Sequence, residues 1–110
     1  MPMGAQADVL VCDFTPTNCP PGASCDAFMV TIDTHHALEA PLFDFGGHLV
    51  PIVQVPEGAV EAPTYVTLGH ADREFITLFN GFDAIHTRHY TTTDHAPTAQ
   101  TSVGQCVSFW

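Results

Sequence analysis

Asn80-Gly81 lies between two runs rich in β-branched and aromatic residues, 74–79 and 82–90. Both residues tolerate positive φ at little steric cost, so this dipeptide between strand-forming runs is a strong hairpin signal. A two-residue loop would set Phe79 opposite Phe82 and Arg73 opposite Arg88. These arginines are the chain's only Lys or Arg side chains, and like charges directly opposed destabilise a strand pair. A three-residue loop, Phe79-Asn80-Gly81 with Gly81 in the left-handed region, instead sets Leu78 opposite Phe82, Glu74 opposite His86 and Asp72 opposite Arg88. Opposite charges across strands contribute about 0.2–1 kcal/mol each. The three-residue register is therefore expected.

The rest of the chain is punctuated in the same way. Residues 8–14 read as a strand. Residues 15–24 carry three prolines and a glycine and read as a loop. In 27–34, Phe28, Val30 and Ile32 share one face at period two, the mark of a half-buried strand. Strands 42–45 and 48–55 flank Gly46-Gly47, and Pro51 marks the second as an edge strand or a bulge. Residues 64–68 form another strand. Residues 91–100 are polar and read as structureless, and 101–110 close the chain with Val103, Val107 and Phe109 on one face. No window sustains a period of 3.6. The expectation is an all-β single domain over residues 1–110: a small sandwich or barrel of about seven to eight short antiparallel strands with long polar loops.

Composition excludes several function classes. The net charge of −10 with histidine neutral argues against nucleic acid or an anionic membrane as partner, since both need a cationic footprint. The chain has no lysine, which removes Schiff-base chemistry and a phosphate-binding lysine. Gly-x-Ser-x-Gly and the glycine-rich nucleotide motifs are absent, so no cofactor is expected. The twelve carboxylates are scattered, and nothing selects a catalytic pair. Met-Pro-Met-Gly-Ala-Gln-Ala-Asp has neither a charged nor an apolar region of a secretory signal, so synthesis in the cytoplasm is expected.

Cys12, Cys19, Cys25 and Cys106 allow three pairings. Cys19 and Cys25 bracket the Pro-Pro-Gly loop; Cys12 and Cys106 lie in the first and last strands. Two disulfides, Cys19–Cys25 and Cys12–Cys106, stand level with four reduced thiols packed as small hydrophobes. A virion surface reconciles cytoplasmic synthesis with oxidation. Seven histidines raise a metal site. The set that folding would have to gather is His35, His36, His89, Asp94 and His95. His86 and His89 point to opposite faces of a strand, as do His35 and His36, and no tight ligand spacing is present. Surface histidines with ordinary hydrogen bonds are the simpler reading.

Eight phenylalanines exceed what one face of each strand can bury in a domain this small. Surplus exposed aromatics mark association surfaces. The expected interface residues are Arg73, Phe79, Phe82 and Trp110. The function expected is a non-enzymatic structural or assembly protein. It would resemble, in size and class only, a viral capsid decoration (cement) protein or other small virion component. It would bind neighbouring subunits, copies of itself included, through aromatic and edge-strand surfaces. The alternative is a small β-barrel that binds a metal, or uses one in catalysis, through His and Asp ligands.

Overall fold

Period-two patterning carries most of the described residues into strands. The computed structural model describes residues 9–33, 42–45, 48–55, 63–67, 72–79 and 82–109. These hold β1 (Val9–Pro16), β2 (Phe28–Asp33), β3 (Leu42–Phe45), β4 (His48–Val55), β5 (Thr64–Thr67), β6 (Arg73–Leu78), β7 (Asp83–Thr91) and β8 (Pro97–Phe109). Each strand pairs antiparallel with the next, and β8 returns to β1, so the sheet closes into an up-and-down barrel. An eight-stranded barrel is just wide enough for side chains to fill it or for one small ligand.

Even-numbered residues of β1, β2, β4, β6, β7 and β8 face inward, as do the odd-numbered residues of β5. The apolar interior comprises Leu10, Cys12, Phe14, Val30, Ile32, Val50, Ile52, Tyr65, Ile76, Leu78, Ala84 and Cys106, with Phe28 packed against it. A second set of inward residues is polar: Thr67, Glu74, His86, Gln100 and Ser102 are all buried. Successive loops of an up-and-down barrel fall at alternate ends. The β1–β2 and β7–β8 connections therefore share one end with this polar set. The β6–β7 turn lies at the other, beside Leu10, Leu78 and Ala84.

Closure rests on the β1–β8 ladder, which runs from Val9↔Phe109 to Pro16↔Ser102. Cys12 and Cys106 sit directly opposite, with a Cα–Cα distance of 3.9 Å, and are joined by a disulfide across 94 residues of sequence. Loop-closure entropy gives a bridge of roughly 100 residues about 4.7 kcal/mol. Gly104 faces inward opposite Phe14. A Cβ there would overlap the Asp13 carbonyl, so only glycine lets the two backbones meet at this point.

Several expectations are corrected. Residues 91–100 are not structureless. β7 and β8 pair down to Thr91↔Pro97, and a tight turn joins them. There Thr92 N–H donates to Ala96 O (3.1 Å) and His95 N–H to Thr92 O (2.8 Å), with His95 at φ 64°. Val103 and Val107 do share one face of β8, and it is the outward one, because Ser102 and Cys106 take the inward positions. β4 is no edge strand: it pairs with both β3 and β5, and Pro51 falls just before the described β4–β5 ladder begins at Ile52↔Thr67. Closure leaves no strand edge among the described strands, which removes the edge-strand binding surface.

The central hairpin is formed in a third register. Arg73 pairs with His89, Glu74 with Arg88 and Leu78 with Ala84. Phe79 N–H donates to Asp83 O (2.7 Å) and Phe82 N–H to Phe79 O (3.1 Å). The expected left-handed Gly81 lies outside the described residues, and Phe82 itself has φ 66°. Relative to expectation the strands have slipped by two residues, which keeps every side chain on its face.

Candidate functional site

The slipped register turns two expected pairs into diagonal neighbours without separating them. Glu74 Oε1 lies 2.9 Å from His86 Nε2, both side chains buried. The Glu74 backbone N–H is taken by Thr67 Oγ1 at 3.1 Å. Arg88 Nε donates to Asp72 Oδ2 at 2.9 Å, and its Nη2 lies 2.7 Å from the same oxygen. The guanidinium stacks 4.5 Å above the centre of the Tyr90 ring. Arg88 is thus held within the barrel's polar end. Arg73 is exposed on the outer wall.

The proline-rich β1–β2 connection is strapped over this end, with Cys19 joined to Cys25 by a disulfide. The Asn18 carboxamide behaves like one more peptide unit in the ladder: Nδ2 donates to Ala99 O (3.1 Å) and Oδ1 accepts from Thr101 N–H (2.8 Å). Gln100 Nε2 donates to Asn18 O (3.2 Å) and Ser24 O (2.8 Å). The Tyr90 hydroxyl donates to Pro21 O at 2.7 Å.

Glu74, His86 and Ser102 form an acid, base and hydroxyl series on adjacent strands, and Ser102 is directly opposite His86. The set cannot work on a substrate as it stands. Ser102 is fully buried, and its Oγ has no hydrogen-bond partner among the described residues. A nucleophile needs access.

The residues raised as metal ligands are not brought together. His89 faces outward against the Phe75 ring at 4.9 Å. Asp94 and His95 lie in the exposed β7–β8 turn. His35 and His36 lie outside the described residues. Among the described residues no group of three or more His, Cys, Asp or Glu could hold a metal ion.

Among the described residues, an apolar surface starts at the other end, at the β6–β7 turn. Phe79 and Phe82 flank the β6–β7 turn, each 42% exposed. Ile85, Val103 and Val107 continue the surface along the outer wall, between 38% and 54% exposed. Ile85 is directly opposite Val103, and Val107 opposite the half-buried Val11. A groove runs between Phe79, Ile85, Val103 and Gln105. Arg73 does not join this surface, being separated from Phe79 by the length of β6. Trp110 lies outside the described residues. The outward valines were legible only with the inward positions of β8 in hand, since Ser102, Gly104 and Cys106 are an unremarkable inner face by composition.

No family model, curated protein or solved structure matches this chain. No helix among the described residues is long and apolar enough to cross a membrane.

Proposed function

We propose that this is a non-enzymatic assembly protein that attaches to neighbouring subunits, copies of itself included, through the apolar end of the barrel. The observation that supports it is the pair of exposed rings at the β6–β7 turn, continuous with the exposed Ile85, Val103 and Val107. Phe82 adds a second indication. A bulky residue costs about 1–2 kcal/mol in the left-handed region, and strain kept at a surface residue points to use. The φ of 66° sets the ring at the turn where a neighbour can cover it. A small virion component, such as a capsid decoration (cement) protein, is a role of this kind. The two disulfides suit a protein exposed to oxidising surroundings. With the barrel closed, the attachment is made by side chains and not by strand addition. Light scattering on the eluting protein and on a Phe79→Ser/Phe82→Ser variant tests this reading.

A further inference from the structure

The polar end holds a cavity of about 520 Å³ for which the assembly reading has no use. That size falls among small-molecule sites, and the mouths of small barrels are where such sites form. Its floor is built from Glu74, His86 and Gln100, each more than nine-tenths buried. Phe28 supplies an apolar wall, its ring standing edge-on to His86 at 5.1 Å and stacked on Phe14 at 5.6 Å. Below these residues Val30, Ile32 and Ile76 are fully buried and give the barrel an apolar interior. Above, the strap fixes the opening. Both Gln100 amide contacts run to its backbone, and exposed Asp26 lies on it at the cavity's edge.

Two carboxylates line this space: Glu74, whose Oε1 lies 2.9 Å from His86 Nε2, at the floor, and Asp26 at the opening. Arg88, the one strong cation lining the cavity, is bound to Asp72 and stacked on Tyr90. A chain of net charge −10 also concentrates cations near its surface. We propose that the mouth of the barrel binds a small organic cation, an amine carried on a flat apolar body. The ammonium group is met by the carboxylates of Glu74 and Asp26, and the body lies against the Phe28 ring, whose face also attracts a cation. An anion would have to take Arg88 from Asp72.

Titration calorimetry of the full chain with phenethylamine and with phenylacetate tests this. The expected result is saturable one-to-one binding of phenethylamine and none of phenylacetate. Asp26→Asn, in the exposed strap, weakens phenethylamine binding by about two- to fivefold. Glu74→Gln, which keeps the shape and hydrogen-bonding capacity of the floor, weakens it by about tenfold. Asp83→Asn, at the far end of the barrel, leaves it unchanged and separates a site from general attraction to an acidic surface. The proposal is overturned if phenethylamine shows no saturable binding at millimolar concentration or phenylacetate binds equally well. It is equally overturned if Asp83→Asn has the same effect as Asp26→Asn. None of these results depends on whether the apolar end mediates assembly.

Discussion

Glu74 and His86 meet at 2.9 Å as diagonal neighbours across the β6–β7 ladder, both side chains more than nine-tenths buried. Burial makes this contact costly to break, because each group loses a partner that solvent replaces poorly at so little exposure. Glu74→Ala or His86→Ala should each destabilise the barrel by about 1–3 kcal/mol. The double variant should lose less than the sum, with a coupling of about 0.5–3 kcal/mol. Urea denaturation of the four proteins measures it, and strictly additive losses would show that the pair does not act as a unit.

Gly104 marks the closest approach of β1 and β8. Gly104→Ala should force those backbones apart and cost about 1–3 kcal/mol, the usual range for overpacking. Hydrogen exchange should show the loss of protection concentrated in β1 and β8. Unchanged stability would mean that the ladder is not tight at this point.

The two turns with left-handed residues should respond alike. His95 and Phe82 have φ of 64° and 66°, and each donates its N–H three residues back. Glycine adopts this conformation freely. His95→Gly and Phe82→Gly should each stabilise the fold by up to about 1 kcal/mol, the relief of strain being partly offset by the freer unfolded chain. Thermal unfolding reads the effect. Phe82→Gly should also weaken association, which His95→Gly should not.

How far the sequence led is clearest in these same elements. The inward face of β2 was legible because Phe28, Val30 and Ile32 alternate with polar or exposed neighbours. The β3–β4 strands were legible from Gly46-Gly47. The hairpin pairs Glu74–His86 and Asp72–Arg88 were legible as well, because a slip of two residues preserves parity and leaves diagonal partners within reach. The register was not, since Phe82 takes the positive φ that glycine would take more cheaply. The β7–β8 hairpin was hidden because Thr92–Ala96 carries no glycine and its strands are threonine-rich. Closure was legible only in part: Cys12 and Cys106, 94 residues apart, already suggested a bridge between the first and last strands, but nothing in the sequence chose a barrel over a sandwich. The buried polar set was hidden because Thr67, Gln100 and Ser102 become interior only when the ring closes over them.

Tyr65 is buried, and burial pushes its hydroxyl above the ordinary value of 10.0. The folded protein then holds this proton more tightly than the unfolded chain. The corresponding stability is complete below about pH 10 and is lost as pH rises through the higher folded value. Unfolding midpoints taken across the alkaline range should fall above about pH 10, and Tyr65→Phe should flatten that fall. An equal decline in Tyr65→Phe would place the alkaline sensitivity elsewhere.

The assembly reading turns on whether the apolar end buries its rings against another subunit. Multi-angle light scattering on the purified chain, across a concentration series at about 0.15 M salt to screen its charge, tests this most directly. The expected mass lies above the 11.8 kDa of one chain and falls to that of one chain in Phe79→Ser/Phe82→Ser while the fold is retained. A single-chain mass at every concentration, or an assembly that survives the loss of both rings, would contradict it.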